Sequence, residues 1–101
     1  MTLTREEILA MEPGQELDEL ICNHIFDLEM VAHVHYSSDI SAAWEVVTHL
    51  KSKHWYFMLS DENEGWEASF YWDPHRPAFE ALSSVAPEAI CKAALLAALK
   101  L

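Results

Sequence analysis

Histidines are the residues of this sequence whose type best suits a metal site, with six among 101 residues. His33 and His35 would share one face of a strand and could meet a third ligand such as His54 or His75. No Cys-x-x-Cys or His-Glu-x-x-His motif accompanies them. Scattered histidines more often bond a backbone carbonyl or face water. We therefore predict no metal site and no cofactor.

Nucleophilic catalysis would require an activated Ser or Cys, a base and an oxyanion-stabilising loop. The sequence has no Gly-x-Ser-x-Gly motif, and its two glycines cannot build a phosphate-cradling loop. Glu62 and Glu64 form a pair of carboxylates, but they lie in a predicted turn where solvation is the default. We predict that the protein is not an enzyme and has no catalytic residues.

Aromatic residues are dense in the second half of the chain. A predicted hairpin and its flanks contain Trp55, Tyr56, Trp66, Phe70, Tyr71 and Trp72. Most of these rings must be core, but one strand face cannot bury all of them in so small a domain. Some of Tyr56, Tyr71 and Trp72 are therefore expected to stack on a planar ligand or to fill a partner's pocket.

The predicted start of a helix at Ser38 is a second candidate binding feature. Free amides and a partial positive charge at a helix N-terminus favour anions, and His75 and Arg76 could add charge from the loop after the hairpin. Asp39 opposes an anion there, and the alternative is that Ser38 only caps the helix while Arg76 only pairs with an acid. The predicted ligand-binding residues are Tyr36, Ser38, Tyr56, Tyr71, Trp72, His75 and Arg76.

Four helical segments must position these residues. Thr4 and Glu7 have the spacing of a capping box and predict a short helix over residues 4–11. Apolar residues then recur at three- and four-residue steps after Pro13, which predicts a helix to about residue 28. A third helix follows Ser38 or Asp39 and runs to about residue 51, and a last helix begins at Pro87, with its apolar residues along one side.

Alternating residues predict the strands. VAHVHY (31–36) predicts a first strand, and HWYFMLS (54–60) with GWEASFYWD (65–73) predicts an antiparallel hairpin across the polar DENEG segment. PAFEALS could add an edge strand. The expected fold is a single α+β domain over residues 1–101, in the order helix, strand, helix, strand, strand, optional strand, helix. Its antiparallel sheet of three or four strands is expected to be layered between helices.

Composition limits the partners. Seventeen acidic and six basic residues give a net charge of -11, which repels phosphate backbones and anionic membranes over about 8 Å at physiological salt. We therefore expect no direct binding of nucleic acid or membrane. Cys22 and Cys91 are too few and too far apart for a disulfide framework, and no apolar segment reaches the ~18 residues of a membrane span. These features predict a cytoplasmic protein.

Three segments resemble the phage ABA-sandwich domain family: TREEILAMEPGQELDELI, YSSDISAAWEVV and APEAICKAALLAAL. The resemblance implies a fold in which a sheet is layered with helices, and a phage or prophage origin, so the cytoplasm would be that of the host cell. It supplies no activity, and no catalytic residue can be carried over.

Two functions remain open. The first is a non-enzymatic counter-defence protein that assembles as a homo-oligomer and sequesters a small, nucleotide-derived host-defence signal. The alternative is an acidic inhibitor that mimics nucleic acid and blocks a basic host protein. A structural module without a ligand is a third, plainer reading.

Overall fold

The computed structural model describes residues 3–27, 34–73 and 75–101. Within these ranges the chain forms four helices and three strands, which confirms the α+β class. Their order is α1 (Arg5–Ala10), α2 (Gln15–His24), α3 (Ile40–Lys51), β1 (Tyr56–Glu62), β2 (Gly65–Tyr71), β3 (Phe79–Ser83) and α4 (Ala86–Leu99).

Local capping explains where two helices begin. At α1 the Glu7 amide donates to Thr4 Oγ1 and the Thr4 amide donates to Glu7 Oε1, both at 3.2 Å, which confirms the predicted capping box. At α3 the Ser41 amide donates to Asp39 Oδ1 at 2.9 Å, so Asp39 and not Ser38 is the cap. Both caps satisfy amides that the first helical turn leaves unpaired.

Helix α2 is shorter than its apolar pattern predicts. Pro13 precedes the helix, which begins after Gly14 at Gln15, and the helix ends at His24; the predicted end near residue 28 lies outside the described residues. After the end of the helix, the Phe26 ring packs on Tyr36 and His49, with centroid distances of 5.4 Å and 4.8 Å. Tertiary packing therefore decides where this helix ends.

The predicted strand over residues 31–36 is wrong in its described part. Val34 to Tyr36 form a bend and a turn, and residues 31–33 lie outside the described ranges. The Ser37 amide donates to the buried Asp18 carboxylate at 2.8 Å, and the amides of Ser38 and Asp39 both donate to the His35 carbonyl. These bonds close a turn against α2, so this backbone cannot pair in a sheet.

The three described strands form an antiparallel sheet in the order β1, β2, β3. Phe57 pairs with Phe70 and Leu59 with Ala68, and this face packs against α4 and α3. On the opposite face, Tyr56 and Met58 are more than half exposed. The face with Phe57 and Phe70 is therefore the one that the described helices α3 and α4 cover.

Helix α4 lies at the centre of the domain. It contacts β2 and β3 on one side and the other three helices elsewhere, and every side chain from Ala89 to Ala97 is buried. The sequence predicted a single apolar stripe, but the helix is buried all round up to the exposed Ala98. Its alanines permit this because they let neighbouring elements approach closely.

Candidate functional site

A cleft of about 1020 Å³ lies at the end of the domain where three helices finish. Its walls come from α1, the ends of α2, α3 and α4, and the chain around the start of β1 and between β2 and β3. We call it the basic cleft and define it by Arg5, Lys53, Arg76 and Lys100 together with Trp55, Trp72 and Phe79. Its volume is at the upper end of small-molecule sites, which span roughly 300–1,000 Å³.

The cleft gathers positive charge in an acidic protein. Four of the six Lys and Arg residues line it, and each is exposed. Among the residues that the structure describes, none of these four forms an ion pair. Among the described lining residues, Glu80 is the acidic side chain, and His24 also belongs to the lining. Cations therefore outnumber acids among the described side chains of the lining, although the whole chain has a net charge of -11.

Three aromatic rings form one wall of the cleft. Trp55 meets Trp72 edge to face at 5.4 Å and 76°, and meets Phe79 in the same way at 5.9 Å and 71°. Edge contacts of this kind fix ring orientation. Trp72 remains 56% exposed, so the cluster holds this indole in place while much of its surface stays open to a planar ligand.

Helix ends and one turn place the four cations. Lys53 and Lys100 follow the C-terminal ends of α3 and α4, where the partial negative charge of the last carbonyls stabilises a cation. Lys100 takes the left-handed conformation (φ 57°) that ends α4. Arg76 lies in a turn closed by Asp73, whose Oδ1 accepts from the His75 amide and whose carbonyl accepts from the Arg76 amide, both at 2.9 Å.

Two of the residues predicted from the sequence meet in this cleft, namely Trp72 and Arg76. His75 is exposed beside Arg76 but is not part of the lining. Tyr56 and Tyr71 lie on the opposite face of the sheet, stacked on each other at 5.3 Å and 19°. The two tyrosines and Trp72 therefore face different sides of the sheet.

Tyr36 and Ser38 are also separate from the cleft. Tyr36 is buried against Phe26, and burial is the main cause that raises the pKa of its hydroxyl. Ser38 is exposed in the turn before α3, and neither residue lines the cleft. The predicted meeting of Ser38 with Arg76 and His75 does not occur, because the strand expected to carry Tyr36 is replaced by a turn packed on α2.

Sequence reasoning missed Arg5, Lys53, Trp55 and Lys100 as site residues. They belong to segments far apart in the chain, so no local motif connects them. The available signal was the scarcity of cations, since only six Lys and Arg residues oppose seventeen acids. In such a composition, the positions of the few cations carry more information than those of the many acids.

Neither thiol nor metal chemistry is favoured by the rest of the domain. Cys22 and Cys91 are buried and free, and burial is the largest cause that raises the pKa of the Cys91 thiol well above its usual value. A thiol in that state is a poor nucleophile. Within the described ranges, no group of three or more His, Cys, Asp or Glu side chains is arranged to hold a metal ion; His33 lies outside them.

The fold and the cleft define a small α+β domain with a three-stranded antiparallel sheet, a central buried helix and a basic cleft. The chain belongs to the phage ABA sandwich domain family, whose profile matches residues 6–95. It is also similar to a crystal structure of a phage protein from Bacillus cereus ATCC 14579, with a TM-score of 0.70 and 26% identity over 85% of this chain and 91% of that chain.

No curated protein matches the chain. Lys53, Trp55, Trp72 and Arg76 fall within the range shared with the family, whereas Arg5 and Lys100 flank it. Among the described helices, none has the length and apolar character needed to cross a bilayer.

Proposed function

We propose that this phage protein binds a small anionic ligand with a planar ring in the basic cleft, and that the ligand is a nucleotide-derived host-defence signal. One observation carries the proposal: four of the chain's six Lys and Arg residues surround a cleft that also contains an open tryptophan. A nucleotide matches both parts, because its phosphates need cations and its base needs a ring to stack on.

The expected energies favour a specific ligand over general attraction of anions. Stacking of a base on an aromatic side chain contributes about 1–3 kcal/mol. A hydrogen bond between a charged donor and a phosphate contributes about 1.5–3 kcal/mol, and Arg76 can make two in parallel. These contacts must also overcome the repulsion from a chain of net charge -11. A ligand that lacks either the ring or the phosphate should therefore bind poorly.

We propose that the protein sequesters this ligand without converting it. The cleft lining contains His24 and Glu80 as acid or base candidates, but none of its described residues is a Ser, Thr or Cys that could act as a nucleophile. Hydrolysis of a phosphoester would also need a positioned water or metal. The lining offers groups that bind charge and rings, which supports capture in the host cytoplasm as a form of counter-defence.

Native mass spectrometry of the protein purified from phage-infected host cells tests the proposal directly, because it shows any retained ligand. Titration of purified protein with ADP, followed by quenching of tryptophan fluorescence, measures affinity, and adenosine controls for the phosphates. We expect ADP to bind at least about tenfold more tightly than adenosine, which corresponds to about one charge-assisted contact.

Matched variants locate the site. Trp72→Ala and Arg76→Ala should each weaken ADP binding about tenfold or more. Tyr56→Ala removes a ring that is 56% exposed, as Trp72 is, but from the opposite sheet face, and Lys51→Ala removes a cation outside the cleft. Both controls should bind as the wild type does. Absence of a retained ligand together with no ADP binding, or equal effects of site and control variants, would refute the proposal.

A second candidate function follows from the same charge distribution. Four cations gathered in one cleft and the buried Lys92 leave Lys51 as the exposed Lys or Arg elsewhere on the described surface. The remaining surface is strongly acidic and could block a basic host protein as a nucleic-acid mimic would. If this function is correct, Glu19→Lys should weaken binding of the basic partner, and the affinity should fall steeply with salt. Capture of a small ligand predicts instead that Glu19→Lys has no effect and that Arg76→Ala weakens binding of the ligand, not of a protein partner.

A further inference from the structure

The two edges of the sheet differ in protection. Strand β1 is seven residues long, pairs with β2 residue by residue, and contains no Pro, Lys or bulge. Strand β3 is five residues long and follows Pro77, and α1 lies beside it, since Arg5 and Leu9 share a shallow pocket with Leu82. Natural proteins block exposed edges with short strands, prolines, lysines or covering elements. In the described structure, β3 has such protection and β1 has little.

Apolar side chains border the open edge on both faces. Trp44 of α3 contacts Phe57 edge to face at 5.8 Å, so its ring lies beside β1 on the helical face of the sheet. On the opposite face lie Tyr56 and Met58. These three flanking side chains, Trp44, Tyr56 and Met58, are 51%, 56% and 52% exposed. An added strand would cover them while it pairs with backbone groups on the side of β1 that no described strand occupies.

Charge is distributed unequally along this edge. Lys51 and Lys53 precede β1, and Asp61 and Glu64 lie at and beyond its acidic end. All four side chains are exposed. Two copies of β1 placed antiparallel would bring the basic end of each next to the acidic end of the other. Parallel copies would instead place like charges together.

We propose that β1 is a self-association edge, at which a second copy of this chain adds its own β1 antiparallel to form one continuous six-stranded sheet. A two-fold axis repeats each end contact, so the complementary charges act twice. This matters because two chains of net charge -11 repel each other, and a general acidic surface would not associate with itself. The complementary ends of β1 select a second copy over an unrelated peptide, and this interface requires no ligand in the basic cleft.

Charge reversal at either end tests the arrangement. One variant carries Lys51→Glu and Lys53→Glu, which makes both ends acidic; the other carries Asp61→Lys and Glu64→Lys, which makes both ends basic. Analytical ultracentrifugation and native mass spectrometry should show a dimer for the wild type. Each variant alone should have a dimer dissociation constant raised about tenfold or more, since repulsion replaces attraction at both contacts. Far-UV circular dichroism confirms that each variant is folded.

The decisive sample is an equal mixture of the two variants. An acidic edge and a basic edge attract at both ends, so the mixture should form a heterodimer, whose mass differs from that of either homodimer. A control with Glu12→Lys and Glu16→Lys changes exposed acids away from β1 and should dimerise as the wild type does. A monomeric wild type, variants that dimerise normally, or a mixture of folded variants that stays monomeric would each overturn the proposal.

Discussion

Replacement of Lys92 by methionine tests how strongly the buried Lys92 ammonium holds α1 against α4 through its hydrogen bond to the Leu9 carbonyl. Lys92 Nζ donates to the Leu9 carbonyl at 3.0 Å and lies 3.4 Å from Glu88 Oε2, and the two charged side chains are only 6% and 13% exposed. Methionine has a similar length and keeps much of the packing. It removes the cation and leaves a carbonyl and a carboxylate without their partner.

The expected loss of stability is about 2–4 kcal/mol. An unsatisfied buried carbonyl costs about 1–3 kcal/mol, and removal of one partner from a fully buried ion pair costs about 3–5 kcal/mol. The value falls below the upper limit because Glu88 keeps some access to water. For a domain of this size, the melting temperature should decrease by at least about 8 °C. Urea unfolding followed by circular dichroism measures the free energy of unfolding directly.

The double variant Lys92→Met with Glu88→Gln separates the ion pair from packing. With the carboxylate neutralised, methionine should cost less than it does beside Glu88, with a coupling energy of about 1–2 kcal/mol. A loss under about 0.5 kcal/mol for Lys92→Met alone, or zero coupling, would refute the reasoning. Because Lys92 anchors α1 at Leu9 and Arg5 opens the same helix, the single variant should also weaken ADP binding, though less than Arg76→Ala does.

Three further predictions concern the fold. Gly65→Ala should destabilise by about 1–3 kcal/mol in urea unfolding, because a Cβ there would lie 2.3 Å from the Ser83 carbonyl oxygen. Thr4→Ala should cost about 1 kcal/mol by the same measurement, through loss of the capping box with Glu7. Burial raises the pKa of the Cys91 thiol in the folded state, so the unfolded chain loses this proton at a lower pH than the folded chain does. The free energy of unfolding should therefore be unaffected below about pH 8 and should decrease as the pH rises above about 8.5. In Cys91→Ala this decrease should be less steep.

Each of these three predictions would be contradicted by a specific result. A Gly65→Ala variant as stable as the wild type would mean that the hairpin turn and β3 separate easily. Equal stability of Thr4→Ala and the wild type would mean that α1 is held by packing alone. Rapid reaction of the Cys91 thiol with a disulfide reagent in the native protein at pH 8 would show that this thiol is accessible and ionises readily.

Local sequence signals predicted those elements whose cause is local. The capping box at Thr4 and the cap at Asp39 depend on side chains three or fewer residues from the amides they satisfy, so spacing alone reveals them. The hairpin of β1 and β2 is also predictable, because alternation and a polar turn occur within one short segment. The alternation in VAHVHY (31–36) predicted a strand that its described residues do not form, because alternation carries no information about the hydrogen bond from the Ser37 amide to Asp18.

The sequence by itself predicted a mixed fold of helices and strands with phage relatives, and it placed seven of its eleven aromatic residues in or beside one hairpin. Only the tertiary structure decided which rings line the cleft: register and packing direct Trp72 toward it, while Tyr56 and Tyr71 stack on the other face. It also decided that Arg5, Lys53 and Lys100 join Arg76. The physical reason is that burial of α4 on all sides brings the ends of distant helices together.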